Sequence, residues 1–332
     1  MVRPQATRRI MPAVLAHLKS LFKDATLASL EMFKVMIPVI IVVKILQELE
    51  LIAYLAWPLK PLMGLVGLPA EMGLVWATAI VNTTYAGLIV FLSLAADHPL
   101  TTAQATVLAV LILVAHALPM ESAIARRSGA RFLFQCAVRL VGAFTLGWLL
   151  NTLYTATDTL QEPATVLFRM DHQDTADPTL ASWAVDQSIN LASIFAVILV
   201  LLLLMRLLTA LRIVELMNRL LRPLLKLIGI GPKASAITVI GLTMGLSYGG
   251  GLIINEARQG NVGKEDVFYS LTLMGLCHSL IEDTLLLALI GGHISGIFWG
   301  RLIFAVVAVA GIVQIVRRLP PHVQNTYLWV GK

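Results

Sequence analysis

The chain has 332 residues, of which 58% are hydrophobic and 13% are charged, and its mean hydropathy is +0.83. Charged residues make up about 25% of an ordinary soluble domain, so the composition excludes that class and predicts a polytopic membrane protein. The net charge of +6 comes from basic residues beside apolar segments, where such residues indicate topology rather than nucleic-acid binding.

The chain begins with a basic, amphipathic segment. Residues 10–27 place apolar residues at helical spacing among lysines and arginines, which predicts a helix on the cytoplasmic surface of the membrane. The first residues lack the apolar stretch and cleavage site of a signal peptide, so the first apolar segment is expected to remain in the mature protein. Residues 1–29 therefore form a predicted N-terminal segment.

Eight apolar segments follow, each close to the ~20 residues that span the hydrocarbon core. They lie at 32–49, 70–96, 101–120, 131–154, 186–208, 233–257, 266–290 and 295–316. Shorter amphipathic pieces lie near 52–67 and 212–230. An acidic linker, 156–183, separates two membrane units at 30–155 and 184–318, and a tail occupies 319–332. The acidic residues of the linker are Asp158, Glu162, Asp171, Asp174 and Asp177.

The two membrane units repeat each other. Pro61 and Pro223, each flanked by matching residues, lie 162 residues apart. The same offset pairs further residues without adjustment: His116 with His278, Glu121 with Asp283, Gly129 with Gly291, and Arg139 with Arg301. Rare intramembrane residues seldom recur at one offset by chance, so the pattern predicts an internal duplication, which is common in secondary transporters.

The positions of the basic residues predict the topology. The basic clusters around Arg126, between residues 206 and 233, and at Arg317–Arg318 fall on the cytoplasmic side if 70–96 and 233–257 are re-entrant hairpins. These hairpins would turn at Asn82–Thr84 and at Tyr248–Gly250. Each half then crosses the membrane three times, so the halves have opposite orientation. The predicted fold is an all-α integral membrane protein with an inverted repeat. Each half has three transmembrane helices, one hairpin and an amphipathic helix, and both termini are cytoplasmic at the inner membrane.

The hairpin tips are predicted to bind a solute, because irregular backbone at membrane depth is tolerated where it lines a polar cavity. The glycines of the second tip permit positive φ and close approach of a ligand. The alternative is that small residues let helices pack closely. The predicted contacts are Asn82, Thr83, Thr84, Tyr85, Ser247, Tyr248, Gly249, Gly250, Gly251 and Asn255.

Five ionisable residues are predicted to handle protons or a coupling ion, namely His116, Glu121, His278, Glu282 and Asp283. His278 and Glu282 stand four apart and would share one helical face, whereas Pro119 is expected to break the helix between His116 and Glu121. Satisfied core histidines are the alternative. His278, Glu282 and Asp283 are candidate metal ligands, although their spacing does not require a metal.

Arg139 and Arg301 form a second intramembrane pair. A guanidinium in lipid needs a partner, such as Glu121, Asp283 or a bound anion. An ion pair that joins the repeats is favoured slightly over contact with the solute.

The sequence does not predict an enzyme or a cofactor. Residues 260–265 lack the glycine spacing and the Ser/Thr of a phosphate-binding loop, and there is no zinc-protease or serine-hydrolase motif. The two cysteines, Cys136 and Cys277, lie in apolar runs and predict neither a disulfide framework nor a thiolate metal site.

Two stretches resemble the nucleoside recognition, or Gate, membrane domain: Ser247–Glu256 (SYGGGLIINE) and Cys277–Thr284 (CHSLIEDT). The resemblance covers residues 30–318. That family includes spore maturation membrane proteins and the membrane part of ferrous iron transport protein B, with concentrative nucleoside transporters as distant relatives. The resemblance implies an inverted-repeat, transporter-like fold. This chain lacks the GTPase domain and the hairpin cysteine of the iron transporters, which argues against that activity.

The leading prediction is a secondary permease for a small polar or charged solute, with a nucleoside-like solute as one example. A divalent metal ion transporter is the alternative within that class. A non-transporting assembly or regulatory protein is the alternative of another class. The expected partners are the solute or ion and the lipid bilayer, without nucleic acid, and the sequence leaves a homo-oligomer open.

Overall fold

The computed structural model describes residues 5–167 and 179–329, which fold into helices joined by short turns. The helices of the first half are α1 (Gln5–Glu48), α2 (Ile52–Ala56), α3 (Lys60–Leu65), α4 (Met72–Val81), α5 (Thr84–Leu94), α6 (Thr102–Ala115), α7 (Leu118–Arg127) and α8 (Phe132–Ala156). Those of the second half are α9 (Leu180–Ala210), α10 (Ile213–Leu227), α11 (Pro232–Met244), α12 (Leu246–Arg258), α13 (Lys264–Cys277), α14 (Glu282–Ala288), α15 (Arg301–Arg318) and α16 (Pro321–Tyr327). A 3₁₀ turn (Trp57–Leu59) precedes α3, and a π-helical segment (Ser295–Gly300) continues into α15.

Six helical spans within the described ranges are long and apolar enough to cross a membrane. They are Ala16–Glu48, Thr102–Arg127, Phe132–Ala156, Leu180–Ala210, Lys264–Ala288 and Ser295–Arg318. These are the six places where the sequence predicts spanning helices, so the prediction of an all-α membrane protein with six spans is confirmed.

Helix α1 is continuous across residues 29 and 30, where the sequence predicts a boundary between a surface helix and a span. Residues 13–37 contain neither glycine nor proline, so nothing in the chain interrupts the helix there. The Arg206 side chain of α9 pairs with Asp24 of α1, and Lys44 lies 5.9 Å from the ring centre of Trp183. The two long helices therefore pack antiparallel.

Two helical hairpins stand at the places predicted for them. Their arms contain 10, 11, 13 and 13 residues, and each arm is shorter than the ~20 residues needed to cross the hydrocarbon. The first hairpin turns at Asn82 and Thr83, as predicted. The second turns at Gly245, with φ 96° and ψ 161°, so the prediction of a turn at Tyr248–Gly250 is wrong. Those residues lie inside α12, and Gly245 adopts the positive φ at which the chain reverses.

The backbone repeats at the offset of 162 residues. Helices α6 and α13 each contain 14 residues and begin at equivalent positions. Residues in the left-handed region also recur in pairs: Gly67 with Gly229, Ala117 with Ser279, and Gly129 with Gly291. Turns and helix ends of the two halves therefore correspond.

Helices α8 and α15, which are equivalent by this offset, run in opposite directions. The Tyr154 hydroxyl, near the end of α8, lies 2.8 Å from the Ser295 hydroxyl at the start of the segment that leads into α15. Further along, Gly142 of α8 lies beside Phe304 of α15. The antiparallel packing of α8 on α15 is the relation expected of an inverted repeat.

The centre of the molecule is formed by α6–α7 and α13–α14. In the most apolar parts of these two spans, 78% and 72% of the residues are buried, against 22% in α1 and 17% in α9. The two outer helices expose apolar side chains, as lipid-facing helices do, and the two central helices are surrounded by protein.

The described part of the linker packs on the start of α6. The carbonyls of Leu160 and Glu162 accept the N–H groups of Ala103 and Thr102 at 2.7 and 2.9 Å. The first N–H groups of a helix have no partner within it, so these contacts cap the central helix. Asp171, Asp174 and Asp177 lie outside the described residues.

Candidate functional site

Both central helices stop at a histidine. His116 and His278 follow the last residues of α6 and α13 and have extended backbone. The next residues, Ala117 and Ser279, are left-handed, with φ of 45° and 50°. Non-glycine residues seldom adopt that conformation, and it persists where the surroundings impose it. Each central helix is therefore broken at the same point of the repeat.

Pro119 accounts for the break in the first half, as the sequence predicts. Its ring would clash with the carbonyl of residue 115 if the helix continued, and it lies in the first turn of α7. The second half has Ile281 at the equivalent position and is broken all the same. Tertiary packing must impose the second break.

Each break is hydrogen-bonded to the hairpin of its own half. The N–H of Ala117 donates to the carbonyl of Ala79 in α4 at 2.9 Å, and the N–H of Leu280 donates to that of Leu242 in α11 at 2.8 Å. Both acceptors lie less than one helical turn before the turn of their hairpin. The hairpins thus hold the backbone in place at the two helix breaks.

The two histidine rings face each other. The Nδ1 of His116 lies 3.0 Å from the carbonyl oxygen of Ile112, and the Nδ1 of His278 lies 2.8 Å from that of Met274. A carbonyl only accepts, so each Nδ1 carries a proton, and in the neutral form of each ring the Nε2 then carries a lone pair. The Nε2 atoms are 3.1 Å apart and buried.

Glu121 completes the buried cluster. Its Oε1 lies 3.1 Å from His278 Nε2 and 3.7 Å from His116 Nε2. Its Oε2 accepts from Arg139 Nη1 at 2.5 Å. The Nε and Nη2 of Arg139 donate to the carbonyls of Val114 at 2.8 Å and His116 at 2.7 Å. Each of the three guanidinium nitrogens of Arg139, a residue that is 1% exposed, therefore has a partner in its own half.

The second half has the same residue types in another arrangement. Arg301 is fully buried and donates from Nη2 to the Thr284 hydroxyl at 2.9 Å. Its Nε and Nη1 have no hydrogen-bond partner among the described residues. The Asp283 carboxylate lies 3.9 Å from His116 Nε2 instead. The buried charges of the second half are thus only partly paired.

His278 and Glu282 do not share one helical face, so that prediction is wrong. The face requires a continuous helix, but α13 ends before His278 and α14 begins at Glu282. Glu282 is half-buried, and Asp283 is the carboxylate of this segment that approaches the histidines.

The candidate metal ligands draw on both halves. Within the described ranges, the ligand atoms close enough to hold one ion belong to His116, Glu121 and His278. The sequence names His278, Glu282 and Asp283, all from the second half. The difference arises because the two breaks meet, which no spacing along one helix can predict.

The residues of the first tip have separate roles. The hydroxyl of Thr83 accepts the N–H of Ala86 at 3.3 Å and caps α5. Thr84 and Tyr85 are buried. Asn82 borders an apolar groove formed mainly by α1 and α4. The first tip thus supplies one polar side chain at a groove and two inside the protein.

The glycines of the second tip are helical, and none has positive φ, so that part of the interpretation is wrong. A Cβ on Gly249 would lie 2.5 Å from the Gly241 Cα, which shows a close approach of α11 and α12. Gly250 packs against Ile124 of α7, and Gly251 has open space. Asn255 is exposed. The side chains of Ser247 and Tyr248 lie outside the described part of the chain.

The sequence does not single out two residues that shape the second turn and the surroundings of Arg301. Gly245 makes the second turn, and the offset of 162 residues from Thr83 points to it. Thr284 receives the hydrogen bond of Arg301, and no sequence signal indicates this contact.

The fold and the buried cluster define a polytopic, all-α membrane protein. The chain is similar to the uncharacterized membrane protein YvoD of Bacillus subtilis (strain 168), with 26% identity over 288 residues, which cover 87% of this chain and 91% of that protein. No protein-family model matches the chain. No solved structure matches it.

Proposed function

We propose that the chain is a secondary transporter that moves a small polar or charged solute, coupled to a proton or another ion. The observation that carries the proposal is the buried cluster of His116, His278 and Glu121, where three acceptor atoms converge between the two halves. Ionisable residues at membrane depth are costly, and they usually mark the path of a solute, ion or proton.

The broken helices support the proposal. The end of a helix leaves carbonyls without intrahelical partners, and discontinuous helices use such carbonyls to bind cations. Arg139 covers the carbonyls of Val114 and His116 in the first half. In the second half Arg301 donates to Thr284 instead. One of the two breaks thus keeps its carbonyls free of an arginine.

The proposed topology is an inverted repeat in the inner membrane, with both termini in the cytoplasm. The antiparallel packing of α8 on α15 supports the inversion, and the positions of the basic residues support the orientation. The hairpins would then enter from opposite faces. No enzymatic step and no cofactor form part of the proposal.

The resemblance to the Gate family makes nucleoside-like compounds the first solutes to test. The proposed contacts are Asn82 at the turn of the first hairpin, and Ser247 and Tyr248 just after the turn of the second. Half-helix ends at these turns would offer backbone groups to the solute.

Uptake into proteoliposomes tests transport directly. Vesicles containing the full chain would be supplied with labelled nucleosides, organic anions or divalent cations, with and without a proton gradient. We expect uptake above that of empty vesicles, its loss in His278→Ala, and its retention in His98→Ala, a control outside the cluster. Uptake at the level of empty vesicles for every solute, or uptake unchanged in His278→Ala, would contradict the proposal.

A second candidate, a non-transporting assembly or regulatory protein, is favoured by the complete internal pairing of Arg139 with Glu121. In such a protein the buried charges would only hold the halves together. The same vesicles then show no uptake, while Glu121→Gln lowers the unfolding temperature.

A further inference from the structure

We infer that His116, His278 and Glu121 bind one divalent transition-metal cation of the zinc type, with Asp283 as the fourth ligand. The inference deepens the proposed function, because it names the ion that the buried cluster takes. It rests on that proposal only for movement of the ion across the membrane.

The spacing of the ligand atoms fits a single ion. His278 Nε2 lies 3.1 Å from both His116 Nε2 and Glu121 Oε1, and His116 Nε2 lies 3.7 Å from Glu121 Oε1. Ligands at about 2.0–2.2 Å from a tetrahedral Zn²⁺ lie roughly 3.3–3.5 Å from one another. Shifts of about a few tenths of an ångström would place all three atoms on such a tetrahedron.

The protonation pattern also fits a metal. Each Nδ1 donates to a backbone carbonyl, so in the neutral rings each Nε2 has a lone pair that is directed at the Nε2 of the other histidine. Metal-binding histidines almost always donate their second ring N–H in this way, which orients the ring. The two lone pairs repel each other unless a positive charge lies between them.

The orientation of the Glu121 carboxylate also fits a metal ligand. Arg139 binds Oε2 of Glu121 and leaves Oε1 directed at the histidines. Ligating carboxylates are usually hydrogen-bonded by such outer partners. The contacts of Arg139 with the carbonyls of Val114 and His116 also hold the first break in place.

Asp283 offers the fourth ligand from the opposite half. Its Oδ2 lies 3.9 Å from His116 Nε2 and the residue is nearly buried, with 9% exposure. Its motion toward the histidines would complete a site built of two imidazoles and two carboxylates. Each half then supplies one histidine and one carboxylate.

A metal satisfies this cluster better than a proton does. A proton on His278 Nε2 makes one linear hydrogen bond, either to His116 Nε2 or to Glu121 Oε1, and leaves the other acceptor without one. A cation between the three atoms binds all of them at once. Two imidazoles with carboxylates favour Zn²⁺, Fe²⁺ or Co²⁺ over Mg²⁺ and Ca²⁺, which prefer sites of oxygen alone.

Metal binding would be measured on the purified full chain in detergent, with Co²⁺ and Zn²⁺ alone as probes. Co²⁺ should give the visible absorption of a four-coordinate site that saturates at one ion per chain, and Zn²⁺ should displace it. His116→Ala and His278→Ala should each weaken binding by at least about 100-fold, more than the loss of an outer partner costs. His98→Ala, which removes a histidine 3.8 Å from Glu71, should leave binding unchanged.

X-ray absorption of the Zn²⁺-loaded wild-type protein needs no variant and therefore remains informative if a variant fails to fold. We expect two imidazole nitrogens and carboxylate oxygens at about 2.0–2.2 Å. A shell of water oxygens, no saturable Co²⁺ signal in the wild type, or binding unchanged in both histidine variants would overturn the inference.

The binding and uptake experiments separate the two proposals. Stoichiometric Zn²⁺ binding without uptake of any solute upholds the metal site and contradicts the transporter. Uptake of a solute by a protein that binds neither Zn²⁺ nor Co²⁺ upholds the transporter and contradicts the metal site, since the cluster then handles protons alone.

Discussion

Arg139 and Arg301 occupy equivalent places in the two halves, yet their surroundings differ. Arg139 donates to the Glu121 carboxylate and to two backbone carbonyls at the first break. Arg301 is equally buried but donates to Thr284, and its Nε and Nη1 have no hydrogen-bond partner in the part of the chain that the structure describes. The Asp283 carboxylate approaches His116 instead.

The repeated element, a broken helix with a buried arginine and a carboxylate, therefore has two arrangements. In the first half the arginine neutralises the carboxylate of its own half and covers the helix end. In the second half the arginine and the carboxylate are apart. In the proposed transporter, the two halves would exchange these arrangements.

Replacing each arginine by methionine should give the largest contrast. Arg139→Met leaves Glu121 as a buried charge without its partner, which should lower the free energy of unfolding by about 3–5 kcal/mol. Arg301→Met removes a cation that is itself partly unpaired, so the expected change is below about 1 kcal/mol. Denaturant unfolding in detergent measures both. Equal losses in the free energy of unfolding would show that the two arginines have equivalent partners, which would contradict the difference in their hydrogen bonds.

The two hairpin turns also differ, and alanine tests each of them. Gly245→Ala forces a side chain into a backbone region used almost only by glycine, at a cost of about 1–3 kcal/mol, although there is open space around the new Cβ. Thr83→Ala removes a helix cap and should cost about 1 kcal/mol. Thermal unfolding in the same detergent compares them, and a smaller loss for Gly245→Ala would refute the position of the second turn.

Packing between the hairpin arms provides a third contrast. Gly249→Ala places a methyl group 2.5 Å from the Gly241 Cα, and backbone shifts of this kind cost about 1–3 kcal/mol. Gly251→Ala meets no atom within 4 Å and replaces a glycine inside α12, so it should raise the free energy of unfolding by about 0.5–1 kcal/mol. If both variants unfold at the same temperature, the close approach of α11 and α12 is not present in solution.

The smallest effect is expected at Pro119. The second half makes the same break with Ile281, so Pro119→Ala should keep the break and cost only about 0.4–1 kcal/mol, through greater freedom of the unfolded chain. Metal binding or solute uptake should persist in this variant. Loss of both would mean that the proline alone maintains the first break.

Several features of the fold could be predicted because they depend on signals that lie along the chain. Apolar length predicts the six spans, and Pro119 predicts the first break. Helix α1 continues through the predicted boundary near residue 29, because no glycine or proline interrupts it there. The predicted position of the second turn is wrong because three adjacent glycines are typical of a turn, whereas here Gly249 and Gly250 lie at contacts between helices.

The candidate site could be predicted in part. The repeat pairs His116 with His278, and equivalent residues on a two-fold axis meet each other. The choice of Glu121 rather than Glu282 as the carboxylate nearest the two histidines could not be predicted. Because α13 ends before His278 and α14 begins at Glu282, these two residues do not share a helical face.

Composition and the offset of 162 residues are enough to predict a membrane protein built from two related halves, with its rare charged residues in equivalent places. Both are properties of the chain read in one dimension. The pairing of those charges was decided by packing, since the contacts of His278 with Glu121 and of Arg301 with Thr284 depend on how broken helices meet. The sequence places equivalent residues at equivalent positions in the two halves. The packed structure does not give them equivalent contacts, since Arg139 and Arg301 have different hydrogen-bond partners.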